Sequence, residues 1–294
     1  MTLAVADGGL ETVMVFKERL DLPQFAAFPL IYDDRGRDAL RRYYEGFLAI
    51  ADDAALPFIL DTPTWRANPD WAATLGYGPD DLARANADSV EFVRGLIGGR
   101  REVTIEGVVG PRADGYVVAE QMASEQAAEY HARQIAVFRE EGADRVCAVT
   151  LNYPNEAIGV VLAASAAGLP AVVSFTIETD GRLPDGTALG EAIAAVDEAT
   201  DRGATFFMIN CAHPRHVAMG LGDAATTERV RGIRVNASTL SHAELDTADE
   251  LDDGDPEQLG RDNAALRDAL PNVEVLGGCR GTDARHVREI VNAW

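Results

Sequence analysis

A regular alternation of short apolar runs with longer amphipathic segments constrains the fold of this chain more than any other feature. There are eight apolar runs, at residues 3–9, 57–62, 102–110, 144–151, 171–177, 205–211, 232–238 and 273–279. Segments with helical spacing of apolar residues lie at 38–55, 80–98, 119–141, 154–167, 188–202, 256–270 and 283–293. Near-continuous apolar strands are typical of a parallel sheet that is buried on both faces. Eight strand–helix units in 294 residues predict one α/β domain, a (β/α)8 TIM barrel spanning residues 1–294.

A doubly wound open sheet is the alternative architecture for such an alternation. The stretch ADGGLET at residues 6–12, where the first run ends, lacks the GxGxxG spacing of a dinucleotide-binding turn, so the barrel is favoured. No segment has the composition of a linker or of a low-complexity region, which supports a single domain. The acidic stretch at residues 244–255 predicts a solvated loop after the seventh strand.

The charge balance narrows the choice of partners. Asp and Glu number 48 against 26 Lys and Arg, which gives a formal net charge of -22. Such a surface repels nucleic acid and anionic membranes, so small molecules are the expected partners. No apolar stretch reaches the roughly 18 residues of a membrane span, and the N-terminal residues lack a basic leader. We therefore expect a cytoplasmic protein. These features are also compatible with a homo-oligomer.

Cysteine is scarce, and two of the three cysteines fall at strand ends. Cys211 ends the sixth apolar run and Cys279 ends the eighth, whereas Cys147 lies inside the fourth run, where packing is the expected role. An odd number of widely spaced cysteines argues against a disulfide framework. Active sites of TIM barrels gather at the carboxyl ends of the strands, so Cys211 and Cys279 are expected to meet. Two soft thiolates in such a place indicate a Zn²⁺ site, and zinc lowers the pKa of a bound substrate thiol.

Several motifs, taken in order, resemble one family nearly from end to end. They are DGGLET (7–12), TPTWRAN (62–68), GVVGPRADGY (107–116), SFTIETDGRLPDGTAL (174–189), INCAHP (209–214), VNAS (235–238) and VLGGCRGT (275–282). Together they resemble the homocysteine S-methyltransferases, zinc-dependent barrels that include the betaine–homocysteine and S-methylmethionine–homocysteine enzymes. The resemblance implies a transferase of methionine biosynthesis. It would move a methyl group from an onium-type donor to homocysteine or a related thiol that zinc activates.

The resemblance also implies roles for individual residues. Cys211 and Cys279 match two of the three zinc-binding cysteines and are the expected metal ligands and catalytic centre. The turn formed by Asp7, Gly8 and Gly9 resembles the part that receives the amino acid end of homocysteine. Residues that would line the substrate pocket with this turn are Thr62, Trp65 and Asn236. Of these, Trp65 could offer its aromatic face to an onium methyl donor.

Two positions depart from the family pattern. The third zinc cysteine is replaced by Arg280, and a guanidinium has no lone pair for a metal. His213 could supply a nitrogen instead, although a helix start before Pro214 is the favoured role. On the fourth strand, Val149 aligns with a glutamate that fixes the amino group of the substrate. Asn152 and Glu156 are the possible substitutes for that carboxylate, and without one the acceptor would be a different thiol.

Two further functions remain open on the sequence alone. A metal-free TIM-barrel lyase or isomerase could bind an anionic metabolite near Arg280, because Gly277 and Gly278 precede a predicted helix there. A non-catalytic paralogue could bind such a metabolite without turning it over.

Overall fold

The structure, a computed structural model, describes residues 3–100, 102–118, 120–248 and 250–294. Its centre is a closed barrel of eight parallel strands, each paired with the next and the last with the first. The strands are β1 Ala4–Val5, β2 Phe58–Asp61, β3 Val103–Val109, β4 Arg145–Leu151, β5 Ala171–Thr176, β6 Ala204–Asn210, β7 Val230–Val235 and β8 Val275–Gly278. All eight predicted strands are present, in the predicted order. The predicted single-domain (β/α)8 barrel is confirmed.

Helices surround the barrel and connect its strands. Their bounds are α1 Leu10–Thr12, α2 Asp34–Ala54, α3 Pro69–Thr74, α4 Pro79–Arg94, α5 Ser124–Glu140, α6 Pro154–Ala167, α7 Leu189–Ala199, α8 Pro214–Gly220, α9 Ala224–Arg229, α10 His242–Asp246, α11 Pro256–Ala264 and α12 Ala284–Ala293. Five of them begin with proline, whose fixed φ suits the first helical position and whose missing N–H is not needed there. A π-helical turn at Val13–Lys17 and short 3-10 turns at Pro23–Phe25 and Phe28–Tyr32 fill the first connection.

The helix predicted over 119–141 begins later than expected, at Ser124, and its predicted first residue, Ala119, lies outside the described residues. The prediction of a solvated loop at 244–255 was wrong in part. Leu245 of α10 is buried and Asp246 faces the central cavity, because α10 folds back over the barrel mouth. Residue 249 of that stretch is outside the description as well.

The barrel interior holds a small apolar cluster distinct from the large core between strands and helices. It contains Cys147, Ile59, Val172, Phe206 and Met208, all buried. The packing role predicted for Cys147 agrees with its position as a fully buried free cysteine. The interior below the mouth is therefore filled with side chains, and the cavity of the barrel lies at the strand ends.

None of the helices in the described ranges is long and apolar enough to span a membrane.

Candidate active site at the barrel mouth

A cavity of about 400 Å³ opens at the carboxyl ends of the strands. Seven of the residues predicted for the site line it: Asp7, Gly8, Gly9, Thr62, Trp65, Cys211 and Cys279. Residues from the loops after β1, β2, β3 and β7 complete the wall. The strand ends therefore converge as the barrel topology requires, and they form one site.

The two predicted cysteines meet in this cavity. Cys211 and Cys279 form a disulfide with an S–S distance of 2.03 Å and a Cα–Cα distance of 5.2 Å. The expectation of unpaired cysteines was wrong for this pair, because closure of the barrel brings together residues that are 68 positions apart. The Tyr116 hydroxyl donates to Cys211 Sγ over 3.3 Å. Tyr116 in turn stacks on His242 of α10, with ring centroids 4.3 Å apart.

The backbone at Cys211 is held in an uncommon conformation. Its φ is +55°, in the left-handed region that few non-glycine residues adopt. Thr150, near the end of β4, also lies in this region, with a φ of +63°. The Asn210 side chain links the two segments. Its amide oxygen accepts from the Thr150 backbone N–H at 2.9 Å, and its amide nitrogen donates to the Thr150 hydroxyl at 2.8 Å. Strain of this kind persists where surrounding contacts enforce it, and it is concentrated at functional sites.

Glycine at position 9 is required by the close approach of two strand ends. A Cβ at Gly9 would overlap the carbonyl oxygen of Cys279 and the Thr12 hydroxyl. The backbone N–H groups of this turn are already occupied, because Gly8 donates to the Tyr43 hydroxyl at 3.1 Å and Gly9 donates to the Thr282 carbonyl at 3.0 Å. The turn thus packs against the end of β8 and presents few free donors to a ligand.

The floor of the cavity carries a buried charge cluster, whose arginines were not among the predicted site residues. The Arg234 guanidinium, from β7, forms ion pairs with both Asp7 and Asp61. Below it, Glu106 pairs with Arg145 at 2.5 Å. Burial, together with the charge of Glu106, raises the pKa of the Asp61 carboxyl, and burial lowers the pKa of Arg234 to about 10.

Proton counting explains how this cluster is tolerated. Three carboxyl groups face two guanidiniums, and the buried oxygens Asp61 Oδ1 and Glu106 Oε2 have no hydrogen-bond donor among the residues that the structure describes. Because the pKa of Asp61 is raised, a proton on that carboxyl group would make the cluster neutral. The only sequence signal for Arg234 was a single charge inside an apolar run.

Glu11 is the exception among the acidic side chains of the cavity. It forms no ion pair or side-chain hydrogen bond with another of the described residues, and burial raises its pKa to about 7. The Arg66 charge acts on it only at longer range. Arg66 itself pairs with Asp114 at 3.6 Å and lies 3.8 Å from the centre of the Trp71 ring. Glu11 has no counterpart among the sequence predictions, because nothing in its local pattern distinguishes it from a helix-start glutamate.

Arg280 points away from the cysteine pair. Its Nη1 atom lies 2.5 Å from Asp246 Oδ1, and its Nη2 atom donates to the Leu245 carbonyl. Both acceptors belong to α10, so Arg280 fixes that helix over the mouth of the barrel. A guanidinium that is engaged in this way is not available to an anionic ligand.

Four other predicted positions do not face the cavity. Asn236 lies behind the wall, where its amide nitrogen donates to the Cys211 carbonyl at 3.0 Å. His213 caps α8, as the helix-start hypothesis predicted, and burial lowers its pKa to about 4. Asn152 donates to the Asp114 carbonyl, and Glu156 pairs with His131 at 3.0 Å. Neither of these two therefore replaces the missing strand-four carboxylate.

Three further positions considered in the sequence analysis do line the cavity. Val149 lines it, so the fourth strand offers an apolar surface there. Thr62 also lines it, although its hydroxyl accepts from the Val108 N–H at 2.9 Å and lies 2.6 Å from the Thr64 hydroxyl. Trp65 presents an aromatic surface, with the Arg66 guanidinium 4.8 Å from its ring centre.

The family model for homocysteine S-methyltransferase matches residues 4–294. The chain belongs to the homocysteine S-methyltransferase family. Crystal structures of the homocysteine methyltransferase MmuM from Escherichia coli have the same fold. The oxidised form gives a TM-score of 0.78 at 18% identity, covering 99% of this chain and 96% of that one. The metallated form gives 0.74 at 18% identity, covering 100% and 97%. No curated protein matches the chain in sequence at a significant level.

Homocysteine S-methyltransferases are generally zinc-dependent, and this family member can be tested against that requirement. A zinc site normally has at least three protein ligands. Within the described parts of the chain, no three His, Cys, Asp or Glu side chains converge on a point where a metal ion could bind. Cys211 and Cys279 are two sulfur donors, and the position of the third is held by Arg280, which pairs with α10. The donor set present does not fit the zinc site of the family.

Proposed function

We propose that this protein transfers a methyl group from an onium-type donor to homocysteine or a related thiol. Membership of the homocysteine S-methyltransferase family is the observation that carries the proposal. The cavity chemistry agrees with it, because Glu11, which has no ion-pair partner among the described residues, lines the same space as four aromatic side chains. The aromatic residues are Phe16, Phe25, Trp65 and Tyr116. The Trp65 and Tyr116 rings line this space, and aromatic rings attract a sulfonium or quaternary ammonium group.

The reaction needs a thiolate, and we propose Glu11 as the group that accepts the thiol proton. The S–H bond of the acceptor breaks and the proton passes to the Glu11 carboxylate. The acceptor sulfur then forms a bond to the methyl carbon, and the bond from that carbon to the onium centre breaks with its electron pair going to the donor. A base is most effective when its pKa is near the working pH, and a pKa of about 7 meets this condition.

The roles of Cys211 and Cys279 as metal ligands, the identity of the donor, the cytoplasmic location and a homo-oligomeric state stay predictions. The alternative function, a metal-free lyase or isomerase with an anion beside Arg280, has less support. That guanidinium already has two acceptors on α10.

A methyl-transfer assay tests the proposed function. The reduced protein is incubated with S-methylmethionine, betaine or trimethylsulfonium and with a panel of thiols, and the methylated thioether is measured by mass spectrometry. We expect thioether formation with at least one pair of substrates. Absence of methylation in every combination, with a folded protein, would overturn the proposal. The matched control is Glu11→Gln, which preserves the shape of the side chain and removes the base.

A further inference from the structure

Three arginines line the cavity, and two of them are fully engaged by protein groups. Arg234 forms ion pairs with two buried aspartates, and Arg280 is bonded to two acceptors on α10. Arg66 differs from both. In the described part of the chain its guanidinium forms no hydrogen bond, and its ion pair with Asp114 spans 3.6 Å. Arg66 is therefore the cavity arginine whose N–H groups are open to a ligand.

Aromatic stacking fixes the position of Arg66. Its guanidinium carbon lies 3.8 Å from the centre of the Trp71 ring and 4.8 Å from the centre of the Trp65 ring. Trp71 is itself anchored, because its indole N–H donates to the Ala113 carbonyl at 3.3 Å. Stacking engages the flat faces of a guanidinium and leaves the N–H groups in its plane free. The Arg66 donors are thus held in place before a ligand binds, which reduces the entropy lost on binding.

The charge of Arg66 is only partly compensated by the protein. The side chain is 11% exposed, so little water reaches it, and burial lowers the pKa of the guanidinium. It nevertheless stays protonated, since the pKa of an arginine lies far above neutral. A buried cation with unbonded N–H groups is destabilised unless an anion completes its surroundings. A carboxylate matches best, because its two oxygens accept two parallel N–H groups, whereas the nearby Glu11 would repel a dianionic phosphate more strongly.

We infer that Arg66 is a specificity-determining residue that binds the carboxylate of a substrate in this cavity. The inference rests on the proposed methyl transfer and assigns a residue to its substrate recognition. The carboxylate belongs to the onium donor or to the thiol acceptor, and the cavity has donors for both. Thr12 and Arg280 also line it, and their backbone N–H groups have no acceptor among the described residues, so they offer a separate, uncharged site for a second carboxylate.

Ligand pairs that differ in one carboxylate test this inference through binding, so the result does not depend on turnover. For the donor, the pairs are betaine with choline and S-methylmethionine with (3-aminopropyl)dimethylsulfonium. For the methylated acceptor, the pair is methionine with 3-methylthiopropylamine. In calorimetry with the reduced protein, we expect the carboxylate member of at least one pair to bind at least about tenfold more tightly than its partner.

Arg66→Gln decides whether this residue causes the preference. We expect the preference to fall to about twofold or less, while the affinities of the carboxylate-free ligands stay unchanged. The pair that loses its preference identifies the donor or the acceptor as the source of the carboxylate. A preference that persists in every pair, or that no pair shows in the unaltered protein, would overturn the inference. The matched control is Arg112→Gln, which removes an arginine outside the cavity and should leave all affinities unchanged.

A second substitution separates ligand binding from a purely structural effect of removing a stacked side chain. Asp114→Asn leaves Arg66 in place and removes the charge that competes with a ligand carboxylate. It keeps the Oδ1 oxygen that accepts from the Tyr116 and Val117 N–H groups. We expect the carboxylate ligand to bind about threefold more tightly in this variant, and its carboxylate-free partner to bind as before. If Arg66→Gln weakens all ligands alike and Asp114→Asn gives no gain, Arg66 has only a structural role and the inference is overturned.

The two proposals fail in different ways. Methyl transfer to a thiol without any carboxylate preference that depends on Arg66 overturns the role of Arg66 and leaves the proposed function standing. A carboxylate preference that Arg66→Gln abolishes, with no methylation of any thiol by any onium donor, supports the role of Arg66 and overturns the proposed function alone.

Discussion

Arg280 Nη1 lies 2.5 Å from Asp246 Oδ1, and this contact joins the end of β8 to α10, the helix that covers the cavity. The position that resembles a metal-ligand position in the family is thus used here to fix a helix over the site. The same helix carries His242, whose ring stacks on the ring of Tyr116. The Tyr116 hydroxyl in turn donates to Cys211 Sγ. The covering helix is therefore linked to both cysteine-bearing strand ends.

We predict that Arg280→Ala loosens this cover. The pair is half-exposed at Asp246, so the loss should be modest, about 1 kcal/mol in the free energy of local opening. Hydrogen–deuterium exchange of residues 242–246 should accelerate about fivefold, while exchange in the barrel strands stays unchanged. Arg288→Ala, which removes the exposed pair with Asp53, is the control. Unaltered exchange in α10 would show that Arg280 does not fix it.

Arg280 also accounts for the incomplete zinc donor set, which leads to a second prediction. The reduced protein should bind zinc weakly, and Arg280→Cys should raise the bound zinc towards one per chain, because it supplies a third thiolate beside Cys279. Metal content is measured by mass spectrometry after dialysis against a mild chelator. Arg280→Ser is the matched control, because it removes the same anchor of α10 without adding a thiol. Stoichiometric zinc in the unaltered protein would contradict the prediction.

A third prediction concerns pH. Burial raises the pKa of Glu11 to about 7, so its carboxylate is mostly protonated below that pH and mostly ionised above it. If Glu11 accepts the thiol proton, kcat/KM should rise as pH passes through about 7. In Glu11→Gln this limb should disappear and kcat/KM should fall by about a hundredfold. A matched change at another acidic residue of the mouth that is already paired, Asp246→Asn, should retain the limb.

The barrel and the meeting of the cysteines were predictable because both follow from local patterns. Apolar runs place strands, and barrel closure brings their carboxyl ends together wherever they lie in the chain. The pairing of Arg234 with Asp7 and Asp61 was not predictable, because it depends on side-chain directions across the barrel. The same holds for α10. An acidic composition indicates a solvated loop. In the structure, the burial of Leu245 and the ion pair of Asp246 with Arg280 hold α10 over the cavity.

Asn236 shows how a motif can be placed correctly and its role misread. It lies at the end of β7, as expected, but its amide supports the Cys211 carbonyl from behind the cavity wall. The neighbouring Arg234, two positions earlier and on the same side of the strand, is the residue that reaches the ligand space. Strand alternation alone would direct both side chains alike, but Asn236 follows Val235, the last residue of β7, where the regular alternation ends. The sequence pattern did not show where the strand stops.

The last prediction tests the buried cluster directly. Arg234→Leu removes the guanidinium and leaves Asp7 and Asp61 buried without their cation, a loss that costs about 3–5 kcal/mol in comparable buried pairs. For a chain of this size we expect the melting temperature to fall by about 10 °C. The loss should shrink at low pH, because protonation of the two aspartates removes the unpaired charge. Scanning calorimetry at two pH values measures this, with the exposed Arg112→Leu as the control. A melting temperature unchanged by Arg234→Leu would show that the two carboxyl groups are already neutral in the folded protein.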